Sequence, residues 1–198
     1  MSVGKVFEQA LAALGLRIPA QHQSQLVTYA EELERWNRTV NLTALRGSAL
    51  VQRLIAEPCW IGQKLQMSGT LADIGSGNGS PGIPLCVTRD LLRTDLIEAR
   101  GKRGAFLRHI AKKLDLKGVT VYRARTDELP SVPDPVDWVT LQAVHPTGKT
   151  LDSIRKFCQP TTNVVWITSG GRAPRRDAQR ISVPGSTTEI WVFRLDQF

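Results

Sequence analysis

The sequence predicts an α/β protein, a doubly wound and mostly parallel sheet preceded by an N-terminal helical extension. Three observations predict it. In the first third of the chain apolar residues recur at steps of three and four, the period of a helix with one buried face. From residue 71 onward short apolar runs alternate with helical segments, as in a parallel sheet covered by helices on both faces. Between the first such run and the next helix lies a glycine-rich turn, the kind of connection at which open α/β sheets bind ligands. At 198 residues the chain has room for one ordinary domain with an extension. The expected division is residues 1–64 for the helices and 65–198 for the sheet.

The elements follow in order. Over residues 21–36, Leu26, Tyr29, Leu33 and Trp36 form one apolar stripe opposite a polar side, and the polar run Asn37-Arg38-Thr39 ends it. Ser48 is the expected N-cap of a second helix with Leu50, Val51, Leu54 and Ile55 on its buried stripe, which Pro58 should stop or kink. Strands are expected at 71–74, 95–97, 119–122, 138–141 and 164–168. The clearest helix covers 102–114, where Phe106, Leu107, Ile110 and Leu114 share a face and Arg108 and Lys112 project opposite. The segment SGGRAPRRDAQR reads as a loop, and residues 189–194 as an antiparallel edge strand closing the sheet.

Composition narrows the function. With 41% hydrophobic and 22% charged residues the chain has the balance of a soluble globular protein. It has no apolar run of the roughly 18 residues a membrane span needs, and its first twenty residues lack a secretory signal pattern. A cytoplasmic protein without a membrane partner is expected. Cys59, Cys86 and Cys158 are far apart and form no cluster of metal-ligand spacing, so neither a disulfide framework nor a metal site is expected. The net charge of +8 (26 basic, 18 acidic) is concentrated: residues 99–125 hold nine cations against Asp115 alone. Such a patch suits a polyanion, because each neutralised phosphate releases counterions, although a solvated basic helix would read the same way.

The chemistry-bearing motif is LADIGSGNGSPG, residues 71–82. A buried strand ends in Asp73, and Gly75, Gly77 and Gly79 then let the chain turn sharply and approach a ligand closely. The helix start beyond offers free N–H groups. The GxGxG spacing after an aspartate suits S-adenosylmethionine better than a dinucleotide, since Asp73 would repel a diphosphate but could hold water or the methionine amino group. Glu98 closes the second strand, where a doubly wound fold places the carboxylate that takes both ribose hydroxyls. Asp127 follows the third strand and could take the adenine amino group. The competing readings are a plain tight turn, a surface acid paired with Arg100, and a helix N-cap; three such positions in order favour a nucleoside site. His22, His109 and His145 have no partner nearby in sequence and read as surface histidines. The five tryptophans read as core and edge anchors, with Trp36 and Trp60 placed to border a cleft.

VNLTALR, ADIGSGNGSPGIPL, EARGKRGAFLRHIAKKLDLKGV and RARTDEL together resemble the GidB methyltransferases, over about residues 21–141. The resemblance implies a class I S-adenosylmethionine-dependent methyltransferase fold and methylation of a guanine N7 in small-subunit ribosomal RNA, with that RNA or the small ribosomal subunit as partner. Carried over by position, Gly75, Gly77, Ser80 and Glu98 would contact the cofactor and Thr126 with Asp127 would hold the adenine. Lys102 and Arg103 match a lysine–arginine pair beside the cleft, on a basic surface that continues through Arg108 and Lys112. Methylation of a ring nitrogen with an exposed lone pair needs no dedicated base, and no catalytic residue is assigned.

The chain departs from the family pattern at three places. The family's His-x-x-Asp-Ser aligns with Leu54, Glu57 and Pro58; its Ser-Arg-Ala after the fourth strand, whose arginine reaches the cofactor side, aligns with Leu141-Gln142-Ala143; its Lys-Gly after the fifth strand aligns with Ser169-Gly170. The departures imply a member that keeps cofactor binding, placing Gln142 on that side, and methylates small-subunit RNA weakly or acts on an altered substrate. The alternative is a protein that binds cofactor and RNA with weak, altered or no transferase activity.

Overall fold

The computed structural model describes residues 2–89, 91–129, 134–155 and 157–195. Helices α1 (Val3–Ala13) and α2 (Ala20–Trp36) form the extension, and a second helical stretch runs from α3 (Gly47–Val51) through a π-helical turn (Gln52–Ala56) into α4 (Glu57–Lys64). The sheet follows: β1 (Gly69–Ile74), α5 (Gly82–Thr88), β2 (Leu91–Ile97), α6 (Gly101–Lys113), β3 (Val119–Tyr122), β4 (Val136–Gln142), α7 (Gly148–Arg155), β5 (Cys158–Thr168), β6 (Gln179–Ser182) and β7 (Glu189–Arg194). Its spatial order is β3-β2-β1-β4-β5-β7-β6.

The first five strands pair in parallel and β7 pairs antiparallel to both β5 and β6. The order of connection reverses at β1, with β2 and β3 laid down on one side and β4 and β5 on the other, so a crevice opens beyond the carboxyl ends of β1 and β4. The doubly wound expectation is met, with one correction. β7 is antiparallel but lies inside the sheet, and β6 takes the edge. β6 begins inside the Arg- and Gly-rich segment, and only Ile181 of its four residues packs against the core. Its strand character comes from pairing with β7, which composition does not show.

Two further differences concern the second helical stretch. It starts at Gly47, one residue before the expected Ser48 cap, and Pro58 neither stops nor breaks it. A proline removes one backbone donor and crowds the carbonyl four residues earlier. Here the preceding turn widens: the Glu57 N–H bonds to the Gln52 carbonyl five residues back, and Pro58 falls in the first turn of α4. The π turn accommodates the ring where an α turn would clash.

One large core unites the extension with the sheet domain. Phe7, Leu26, Tyr29 and Leu33 pack in the same cluster as Ile83, Phe106, Leu107 and Ile110. A second cluster on the other face joins Ile74, Ile97, Leu141, Phe157 and Trp166. Polar clamps fix α2 onto α6. The Glu32 carboxylate, nearly buried, meets Arg35 at 2.8 Å, His109 at 2.8 Å and Lys113 at 2.9 Å. His109 also lies 5.2 Å from the Trp36 ring, so it is an interhelical partner and not the surface histidine expected. Among the described residues no helix is long and apolar enough to cross a membrane, and no group of three His, Cys, Asp or Glu side chains is placed to hold a metal ion.

Candidate active site

The glycine loop leaves β1 with three residues at positive φ: Gly75 at 71°, Gly77 at 50° and Gly79 at 96°. At Gly79 a Cβ would lie 2.9 Å from Ile83 Cγ1 and 3.1 Å from the Tyr29 hydroxyl, so backbone conformation and space both require glycine. That hydroxyl donates to the Asn78 carbonyl at 2.9 Å, so α2 braces the loop from below. Burial and the neighbouring Asp73 raise the Tyr29 pKa, keeping the phenol a donor.

Glu98 ends β2 beside this loop, since β1 and β2 are neighbours with Ile74 opposite Ile97. It is 6% exposed, and it is held from the backbone and not by the Arg100 side chain. Its Oε2 accepts from the Gly77 N–H at 3.0 Å and its Oε1 from the Arg100 N–H at 2.7 Å. Each carboxylate oxygen keeps lone pairs for further donors. Thr126 and Asp127 follow β3 in a turn, without the helix that an N-cap reading of Asp127 required. Arg125 lies 3.2 Å from Asp127 and holds its carboxyl below the usual range.

These positions meet in one cleft of about 330 Å³, with Gly75, Glu98, Thr126 and Asp127 in its wall alongside Ile97, Val144 and Lys149. Donors and acceptors on an apolar slot of this size fit a nucleoside. Gly77 and Ser80, expected to contact the cofactor, are not in its wall: the Gly77 N–H holds Glu98, and the Ser80 hydroxyl meets Gln142 instead. Asp73 stands behind the cleft at 1% exposure: its Oδ1 accepts from the Thr140 hydroxyl at 2.7 Å, while Oδ2 has no hydrogen-bond partner. Burial pushes its carboxyl up to about 6, against the opposing pull of Thr140.

A second cleft of about 330 Å³ opens beyond the ends of β4 and β5, lined by Arg53, Gln142, Val144, His145, Trp166, Ser169 and Thr188 among others. Val144 lines both clefts, which adjoin there. It presses on the glycine loop, for a Cβ on Gly75 would come within 2.7 Å of its Cγ2. Gln142, expected on the cofactor side, instead lines this second cleft, and its Oε1 accepts from the Ser80 hydroxyl at 3.0 Å. The departures from the family pattern converge here. Gln142 and Ser169 line the cleft, and Glu57 accepts from the hydroxyls of Ser186 at 2.7 Å and Thr188 at 2.5 Å. Sequence reasoning missed Arg53, Val144, His145 and Trp166 as cleft residues, and it placed Trp36 near a cleft. Trp36 packs on Phe106 instead.

The basic surface is partly neutralised, by local acids and by one distant in the chain. Lys113 is held by Glu32, Lys117 by Asp115 and Arg125 by Asp127 and Glu128. Arg103 donates to the Asn41 carbonyl at 3.0 Å and so fixes the VNLTALR loop against α6. The Asn37 side chain orders that loop from its start, accepting from the Leu42 and Thr43 N–H groups. Lys102, Arg108 and Lys112 are exposed and meet no carboxylate among the described residues.

A family model described as GidB, rRNA small subunit methyltransferase G, matches residues 22–178. The chain belongs to this family. A ribosomal RNA small subunit methyltransferase G from Roseiflexus sp. (strain RS-1) is 36% identical over 160 residues, covering 77% of this chain and 65% of that protein. One from Xanthomonas euvesicatoria pv. vesicatoria (strain 85-10) is 37% identical, covering 72% of this chain and 66% of the relative. The match thus spans slightly under two thirds of these GidB proteins. Among solved structures, a SAM dependent methyltransferase from Aquifex aeolicus superposes with a TM-score of 0.58 at 14% identity, over 82% of this chain and 97% of the other. The putative methyltransferase yhhF from Escherichia coli gives 0.55 at 13%, over 70% and 83%. Both likenesses concern the fold.

Proposed function

We propose that this GidB member binds S-adenosylmethionine in the first cleft and transfers its methyl group to a guanine N7 of small-subunit ribosomal RNA. The observation that carries the reading is the convergence of the glycine loop, Glu98 and the Thr126–Asp127 turn at the ends of three adjacent strands around one nucleoside-sized cleft. The residues present fit the group. Glu98, aligned by two backbone N–H groups, would accept both ribose hydroxyls. Asp127 would accept from the adenine amino group, and the glycine turn leaves space where any side chain would strike Val144. Bound there, the sulfonium supplies an electrophilic methyl.

The chain's own contribution is alignment. The guanine N7 lone pair lies in the ring plane and carries no proton, so no general base is needed. The nitrogen becomes cationic as the sulfur becomes neutral. Holding nucleophile, methyl and sulfur in line, with water excluded, then accounts for the rate. Lys102, Arg108 and Lys112 would carry the phosphate backbone, and a ribosomal RNA substrate would put the reaction in the cytoplasm.

Calorimetry with S-adenosylhomocysteine tests the cofactor site, with saturable one-to-one binding expected. Methyl transfer to small-subunit RNA, mapped to a guanine, tests the reaction. Binding without methylation would favour the second reading, a cofactor- and RNA-binding protein of weak or altered activity. The clustering of Gln142, Ser169 and the Glu57–Thr188 contact at the second cleft supports that reading.

A further inference from the structure

The cofactor reading leaves the second cleft without a role. The two clefts meet at Val144, which lines both, so a group seated in the second can approach whatever occupies the first at that edge. The floor of the second cleft is aromatic. Trp166 is 3% exposed, and the exposed His145 ring lies over it at 4.9 Å between centroids with a tilt of 47°. The buried indole thus supports an imidazole whose other side faces solvent, a surface on which a flat base can stack.

The polar groups around that floor include two donors. Gln142 has its Oε1 engaged by the Ser80 hydroxyl, which leaves the amide N–H groups as what it offers. Arg53 is positioned by Glu57 at 3.5 Å and Thr187 at 3.1 Å, and a guanidinium has N–H groups beyond those two. A purine that meets donors must present acceptors. Guanine carries O6 and N7 on one edge, whereas adenine places an amino donor where guanine has O6.

Resting on the methyltransferase reading, we infer that the second cleft is the slot for the acceptor guanine, with His145 on Trp166 as its stacking platform and Gln142 as the donor that reads O6. O6 and N7 share an edge, so seating O6 against Gln142 at the end of β4 turns N7 toward Val144 and the first cleft. A glutamine at this position gives a neutral reader of O6, and a histidine three residues on supplies stacking area. Chemistry of this kind selects guanine without a formal positive charge at Gln142.

The test is binding of guanosine 5′-monophosphate to protein saturated with S-adenosylhomocysteine, followed by calorimetry or ligand-detected NMR. The nucleotide should bind alongside the cofactor product. His145→Ala should weaken it about 5- to 150-fold, the range that base–aromatic stacking carries, and His145→Phe should restore it. Gln142→Leu should erase the preference over adenosine 5′-monophosphate. His145 is exposed, so its replacement leaves the core intact. Failure of S-adenosylhomocysteine itself to bind would refute the cofactor reading. If that ligand binds, any of three results overturns the slot alone: a nucleotide that displaces it, a nucleotide with no saturable binding, or wild-type affinity in His145→Ala.

Discussion

Removing the Glu98 carboxylate separates a nucleoside site from a tight turn, because it acts on the loop and on the ligand by amounts that can be measured separately. In the loop, Glu98→Ala strands the Gly77 N–H, which is buried and bonded at 3.0 Å; the Arg100 N–H, at an exposed residue, can turn to water. A buried donor left without an acceptor costs about 1–3 kcal/mol, which for a chain of this size lowers Tm by roughly 2–12 °C. At the ligand, the ribose hydroxyls lose a charged acceptor worth about 1.5–3 kcal/mol, or roughly ten- to 150-fold in affinity. Glu98→Gln keeps the shape and one acceptor oxygen but turns an amide toward a backbone N–H, so it should fall between. Calorimetry with S-adenosylhomocysteine well below the melting transition, with circular dichroism to confirm folding, reads both effects. A folded Glu98→Ala protein that binds within about threefold of wild type would refute the placement of the ribose.

Four further outcomes are expected. Folding favours the protonated form of Asp73, whose pKa is raised to about 6. The stability tied to that proton is complete below the ordinary aspartate range and is lost as pH rises through about 6, amounting to about 3 kcal/mol. Asp73→Asn should gain on wild type by that amount between about pH 4 and pH 7 in denaturant melts, and a pH-independent difference would count against it. Burial acts to raise the Glu32 carboxyl, but Lys113 and His109 outweigh it and hold the pKa low. Its contribution is therefore present above the usual carboxylate range and lost as pH falls through its folded value. Glu32→Gln should cost about 2 kcal/mol near neutrality and less in acid, measured by urea melts; a constant cost would disprove the coupling. Reversing Arg108 and Lys112 to Glu should flatten the dependence of log affinity for single-stranded RNA on log salt by about 1.4, and an unchanged slope would remove that face from the RNA path. Gln142→Arg with Ser169→Lys should raise turnover on small-subunit RNA roughly tenfold or more, since an arginine also donates to O6; unchanged turnover would show that the departures cost nothing.

What was legible in the sequence is what short-range pattern encodes. β3 and β7 emerge at the expected residues, and helix α6 lies one residue from its expected start. Glu98 and the glycine loop could be placed on neighbouring strands because the winding rule of α/β sheets leaves little choice after a parallel alternation. What stayed hidden depends on partners distant in the chain. β6 exists through pairing, the π turn through a clash with Pro58, and the pairing of His109 through a glutamate 77 residues away. The second cleft was illegible for the same reason. Arg53, His145, Trp166 and Thr188 come from four separate segments, and none has a motif of its own.

The contacts of Glu57 also set an order of events during synthesis. Its carboxylate is 1% exposed, and its hydroxyl partners Ser186 and Thr188 lie 129 and 131 residues further along the chain. A nascent chain therefore makes the π turn and α4 long before it makes the groups that satisfy the acid. Until the β6–β7 hairpin has emerged, that glutamate has Arg53 as its local partner but lacks both hydroxyl donors, and hydration is then cheaper than burial. The corner where α4 meets the hairpin thus closes well after α4 has been made, and the second cleft, which shares Thr188 and Arg53 with that corner, takes shape only once residues 186–188 have emerged.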